Sequence, residues 1–297
     1  MSRSILTLVL SIALVLGACG DDDAAESALV GTGRPTVVVT TSLLADVVES
    51  FAGEQVDVIA IMPPGADPHV FQASARNRAD MSQADVLVVS GAGFEEGLED
   101  VIDAVSGEVP TFVAADSAGG DPHFFTDPVL VHQATEALAV FLAEQIDGID
   151  AGALAAQAGD YLDELEQLDA EVAEILDAVQ PAQRTMVTGH DVFGPFAARY
   201  GFEVVGTVIP GAGTGDSASA AELDALARLI ERTGVLAIFT EDPGTANLAE
   251  TVAAEVGVPV VGLFAESLGP DGSGADSYLG MVRTNAERIA EALGDGA

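Results

Sequence analysis

The sequence predicts an α/β protein of two similar lobes, each built on a parallel four-stranded sheet, joined by one long rigid helix. Three observations carry that expectation. Short β-branched runs alternate with amphipathic stretches from residue 36 onward, as expected of parallel strands linked by helical crossovers and covered on both faces. The runs fall into two sets of four. Between the sets lies the longest uninterrupted helical pattern of the chain, Leu154–Val179.

In chain order, the first set of strands is Thr36–Thr40, Val56–Met62, Val86–Ser90 and Thr111–Val113. The second is Thr185–Thr188, Glu203–Val208, Leu236–Thr240 and Val258–Leu263. Helical periodicity marks Ala75–Gln83, Phe94–Val105, Ala218–Arg232, Leu248–Val256 and Tyr278–Leu293. In the central pattern Leu154, Tyr161, Leu165, Leu168, Val172, Ile175 and Val179 step mostly by three or four, which makes one buried stripe. Pro181 follows, as expected just beyond a helix end. Such a helix spans about 39 Å at 1.5 Å per residue, enough to brace two lobes and limit hinge motion. The expected organisation is a signal segment over 1–18, a flexible tether over 19–34, a lobe over 35–152, the connecting helix over 153–180 and a second lobe over 181–297.

The first residues indicate where the chain works. Arg3 precedes Ile5–Leu16, a mainly apolar run too short to span a bilayer, which needs roughly 20 residues, but suited to a secretory signal. Leu16-Gly17-Ala18-Cys19 closes it, and Cys19 is the only cysteine. An unpaired thiol in an exported chain calls for a role, and lipid attachment supplies one. Gly20 to Gly33 is small and polar, as a tether from membrane to domain would be. With one cysteine no internal disulfide can form, so packing must hold the fold, and the 49% hydrophobic content is enough for a core. The net charge of −38, with ten arginines and no lysine, argues against nucleic acid as a partner. A saline habitat or a merely solubilising surface would each account for the excess.

Three of the four histidines sit in polar turns. Asp67-Pro68-His69 and Asp121-Pro122-His123 repeat one tripeptide, and Gly189-His190-Asp191 leaves the strand ending at Thr188. Proline fixes its own φ and holds the preceding residue extended, so each Asp-Pro-His is a stiff turn presenting an imidazole. Any one such turn is explained by local capping, but the repetition points to metal, for which neutral imidazole is a common ligand. All three histidines follow the carboxyl ends of strands, where open parallel sheets bind ligands, so they are expected to converge in the cleft between the lobes. Glu241 also ends a strand on that side and is a candidate to orient an imidazole from behind. His132, inside Val129-Leu130-Val131-His132, has no such setting and is expected to pack on a helix.

These segments resemble the metal-binding lipoproteins of bacterial ABC importers for zinc and manganese, of the zinc-uptake type. The matching motifs are Pro63-Pro64-Gly65-Ala66-Asp67-Pro68-His69, Ala84-Asp85-Val86-Leu87-Val88 and Gly120-Asp121-Pro122-His123-Phe124. Further on come Gly189-His190-Asp191-Val192-Phe193-Gly194, Arg199-Tyr200-Gly201, Ala275-Asp276-Ser277-Tyr278 and Met281-Val282-Arg283. The resemblance covers about residues 36–293. It implies a solute-binding lipoprotein rather than an enzyme, which captures a divalent metal outside the cytoplasm and delivers it to an ABC permease. It also implies anchoring to the membrane through lipid on Cys19 and action as a monomer. By the same resemblance His69, His123 and His190 are metal ligands and Asp276 is the fourth, although Asp276-Ser277 would equally serve as a helix cap.

Two departures from the family bear on the metal. No histidine-rich loop separates His69 from His123, and the third position is His190 where manganese-type members often have a carboxylate. Three imidazoles and a carboxylate suit Zn2+ better than Mn2+, which favours more oxygen, leaving manganese or iron as the alternative cargo. A secreted zinc hydrolase would want a His-Glu-x-x-His helix, which the chain lacks, and a metal-containing adhesin on the same fold is the third reading.

Overall fold

A computed structural model describes residues 33–294, apart from 212, 215, 216 and 242. The expected signal segment, Cys19 and most of the tether lie outside the described residues. All eight expected strands form: β1 (Thr36–Val39), β2 (Asp57–Ala60), β3 (Val86–Val89), β4 (Thr111–Val113), β5 (Thr185–Thr188), β6 (Glu203–Thr207), β7 (Ile238–Thr240) and β8 (Val260–Gly262). They make two wholly parallel sheets with the same winding, β2-β1-β3-β4 and β6-β5-β7-β8. In each, the chain starts in the middle, steps to one edge and returns past its origin, so both sheets reverse direction beside their first strand.

The helices are α1 (Ser42–Ala52), α2 (Ala75–Ser82), α3 (Glu99–Ser106), α4 (Pro128–Gln145), α5 (Ala151–Leu176), α6 (Gly194–Tyr200), α7 (Ala220–Thr233), α8 (Pro243–Val256) and α9 (Tyr278–Leu293). The connecting helix has the expected length, 26 residues, but starts and stops three residues earlier than its periodicity suggests. Asp150 sets the start, because its side chain accepts the N–H groups of Gly152 and Ala153 and satisfies the first orphan donors. The buried stripe is Leu154, Ala158, Tyr161, Leu165, Leu168, Val172 and Leu176, so Leu176 takes the place expected of Ile175, and Val179 is buried just past the helix end.

Strand alternation explains how two lobes become one body. Val37, Val39, Val86 and Val88 point inward to a core shared with α1, α4, α5 and α9, whereas Val38, Leu87 and Val89 point outward to a separate cluster with Met81 and Leu98. In the second sheet Met186 and Phe239 face the shared core, and Val187 and Ile238 face Leu226, Ile230 and Val252 outside. The inner core therefore runs unbroken from the first sheet through α5 to the second.

The connecting helix is supported by its neighbours. α5 packs along α4 and α9 and also meets α1. Arg199 of α6 pairs with Asp169, and Arg283 of α9 pairs with Glu171 at 2.8 Å, both on α5. α9 returns to the first lobe, where the Tyr278 N–H donates to Asp46 (2.7 Å) and its hydroxyl donates to the Phe125 carbonyl (3.0 Å).

Candidate metal centre

The two Asp-Pro-His turns fold alike. Asp67 Oδ1 accepts the His69 N–H at 2.9 Å, and Asp121 Oδ1 accepts the His123 N–H at 2.8 Å. Each aspartate thus closes an Asx turn over the proline, the local bond that makes such residues turn formers. β2 delivers the first turn, β4 delivers the second, and His190 follows β5 directly. The three rings come together with centroids 5.7, 5.6 and 5.5 Å apart, a nearly equilateral triangle of edge-to-face contacts.

The fourth member is Glu266, four residues past β8. Its Oε1 lies 2.7 Å from His69 Nε2, 3.0 Å from His190 Nε2 and 3.6 Å from His123 Nε2. All four ligand atoms lie within 4.8 Å of one another, and every one of the four residues is buried. A tetrahedral site with bonds of 2.0–2.1 Å separates its donors by roughly 3.3 Å. His123 stands about that far from the carboxylate, and His69 and His190 stand closer, within hydrogen-bond range.

Asp276, expected as the fourth ligand, does not join this group. It is exposed on the loop before α9, where its Oδ2 accepts the Gly272 N–H at 3.0 Å. Ser277 beside it caps α9 by accepting the Gly280 N–H. A signal for Glu266 was present: a carboxylate just past the carboxyl end of a strand, the same position that marks Glu241. His132 stands apart on α4, with Nε2 3.7 Å from Glu166 of α5.

The surroundings restrain the cluster. Phe94 packs edge-on against His69 and His123, and Phe125 against His123. Thr214, from the loop after β6, donates to Asp67 Oδ2 across the cleft. Ser267 Oγ accepts the Gly65 N–H, tying the Glu266 loop to the loop that carries His69. Behind His190, the buried Glu241 accepts the Gly189 N–H at 3.1 Å, and its other oxygen lies 3.6 Å from His190 Nδ1.

Charge follows this geometry. Burial pulls His190 down, but the neighbouring carboxylates of Glu241 and Glu266 outweigh it and hold the imidazole up to about 10. Burial pushes Glu266 up, yet the three histidines prevail and hold it well below the usual carboxylate range. Glu241 is raised, because burial outweighs the nearby His190 imidazole and the bond from the Gly189 N–H. The cluster is therefore a preformed cage of three imidazole nitrogens and an anionic oxygen, suited to a divalent cation.

Comparison with known proteins points the same way. The family model of zinc-uptake complex component A, periplasmic, matches residues 37–292. The zinc-binding protein TroA of Treponema pallidum is 30% identical over 309 residues, covering 97% of this chain and 98% of the relative. The manganese-binding lipoprotein MntA of Halalkalibacterium halodurans is 28% identical over 296 residues, covering 96% and 97%. The solved structure of the Treponema pallidum periplasmic zinc-binding protein TroA superposes with a TM-score of 0.81 at 28% identity, covering 89% of this chain and all of that one. Members of the family are substrate-binding proteins of transport systems, not enzymes. With the family model spanning both sheets and all four members of the cage, the chain belongs to the zinc-uptake component A family of metal-binding proteins.

Proposed function

We propose that this protein captures Zn2+ outside the cytoplasm with His69, His123, His190 and Glu266 and delivers it to the permease of an ABC importer. The observation that carries this reading is the convergence of three Nε2 atoms on one buried carboxylate oxygen drawn from both lobes. Four protein donors make a closed site, whereas a catalytic zinc keeps a position open for water, so capture and not hydrolysis is the function. The nitrogen-rich donor set favours zinc. Manganese is the second reading, favoured by the MntA relatives of Halalkalibacterium halodurans and Bacillus subtilis.

Several relatives are described as lipoproteins, which supports anchoring through Cys19 to the outer face of the cell membrane. In this reading the folded part divides into lobes 35–152 and 181–297 around the connecting segment 153–180, and the protein works as a monomer.

Metal analysis of protein from metal-replete medium, followed by competition with a chromophoric chelator, tests the assignment. One zinc per chain, bound more tightly than manganese, is expected. Tighter manganese binding would replace zinc with the second reading, and retention of metal by His69→Ala, His190→Ala and Glu266→Ala alike would end the assignment. Labelling with a fatty acid tests the anchor: Cys19→Ala should lose the label, and equal label in both proteins would remove it.

A further inference from the structure

In each sheet a buried glutamate follows the third strand in chain order, and the two are used differently. Glu95 follows β3, and Glu241 follows β7, the strand in the same place in the second sheet. Glu95 is saturated by the Thr40 hydroxyl, the Ser90 N–H (2.7 Å) and the Gly91 N–H (3.0 Å), so both its oxygens pin the ends of β1 and β3 together. Glu241 spends only Oε1 in this way, on the Gly189 N–H. Its Oε2 and His190 Nδ1 face each other at 3.6 Å, and neither has a hydrogen-bond partner among the described residues. Both side chains are wholly shielded from solvent. Two buried polar atoms left unpaired are costly, and here each faces a complementary atom.

The chain makes room for this pairing. A Cβ on Gly189 would overlap Glu241 Oε2 and Thr245 Oγ1, so a residue with a side chain would displace the carboxylate from behind the imidazole. Charge balance gives the carboxylate a purpose. A divalent ion held by three neutral imidazoles and Glu266 leaves one uncompensated positive charge in a buried site, and a second buried carboxylate cancels it.

We propose that Glu241 is a positioning residue for the metal: its Oε2 accepts the Nδ1–H of His190, which fixes that tautomer, turns the Nε2 lone pair to the cation and neutralises the site. The inference rests on the ligand set proposed above. It sets His190 apart from His69, whose Nδ1 is buried with no hydrogen-bond partner among the described residues. A carboxylate behind a ligating imidazole raises its donor strength, and loss of such outer partners commonly lowers metal affinity by about 10–100-fold.

The test uses the full-length protein with Zn2+ and, as a spectroscopic probe, Co2+. Glu241→Gln should weaken zinc by about 10–100-fold and shift the visible Co2+ bands, with an unchanged far-ultraviolet circular dichroism spectrum. The loss should vanish in a His190→Ala background and persist in a His123→Ala background, a pattern that general loosening of the fold would not give. Zinc affinity of wild-type strength in Glu241→Gln, beside a weakened His190→Ala, would overturn this proposal alone. Wild-type affinity in His190→Ala would overturn the ligand set itself. Should Glu241→Gln fail to fold, nitrogen-15 spectra of the histidine rings in zinc-loaded wild type decide. A protected Nδ1–H on His190 supports the proposal, and zinc on its Nδ1 overturns it.

Discussion

Asp67-Pro68-His69 and Asp121-Pro122-His123 make the same turn with the same Asx bond, and their settings differ. The second is held mainly by its own lobe, with one bond from the Tyr278 hydroxyl of α9 to the Phe125 carbonyl. Phe124–Thr126 continues it as a short 3-10 helix into α4, Thr126 donates its hydroxyl to the His123 carbonyl (3.0 Å), and Phe94 and Phe125 wall the ring. The first is held from across the cleft: Thr214 bonds to Asp67, Ser267 bonds to Gly65, and the next residue, Val70, is 52% exposed. Identical local chemistry thus gives one imidazole walled by Phe94 and Phe125 and one packed on Phe94 alone, with its turn tied to the opposite lobe. Release of the cargo is expected to begin at His69.

The largest effect tests whether the turns are equal as ligands. His69→Ala and His123→Ala should each weaken zinc by more than about 100-fold, beyond the 10–100-fold carried by outer groups, and Glu266→Ala should do the same. Chelator competition measures this. Retained binding in either histidine variant would break the comparison at its root.

The next effect concerns the proton that zinc must displace. Three histidines at their ordinary value near 6.5 would make affinity fall only below about that pH. His190, however, is held up to about 10 by Glu241 and Glu266 against the pull of burial. A raised pKa stabilises the metal-free fold fully below pH 6.5, and that contribution fades as pH climbs through about 10. Zinc binding therefore releases a proton at pH 7.5, and affinity should rise roughly tenfold per pH unit well above 6.5. Calorimetry in buffers of different ionisation enthalpy counts that proton, and a count of zero at pH 7.5 would place no proton on the cage.

A smaller effect separates the turns directly. Asp67→Ala removes the Asx bond and the bond to Thr214, whereas Asp121→Ala removes only the Asx bond. At about 1 kcal/mol per hydrogen bond, zinc release should quicken roughly 30-fold in the first and roughly 5-fold in the second. Stopped-flow release into excess chelator compares them, and equal rates would erase the distinction. The smallest effects belong to Asp276→Ala and His132→Ala, both outside the cage, which should stay within about twofold of wild type.

Much of this arrangement was legible before any coordinates. β-branched runs located every strand, because strands buried on both faces are apolar throughout, and polar turns located three of the four ligand candidates. Two helices were poorly legible and a third was overlooked. α4 carries an apolar residue on its exposed side as well, Val140 being 57% exposed, so its periodicity is blurred. α6 spans only seven residues, too few for a period to register. α1 did carry a signal, the Thr41 cap before Leu43, Leu44, Val47, Val48 and Phe51, close behind a strand. Asp276-Ser277 matched a motif, whereas Glu266, the fourth member of the buried cluster, stands in the position that topology favours.

The return of α9 to the first lobe bears on how the chain reaches its native state. The Tyr278 N–H meets Asp46 across 232 positions, and its hydroxyl meets Phe125 across 153. Those contacts close very large loops, whose entropy must be lost before the inner face of the first sheet is covered. The early half of the chain is thus unable to complete its core until the last helix has been synthesised, and the molecule should fold slowly, late and in one step.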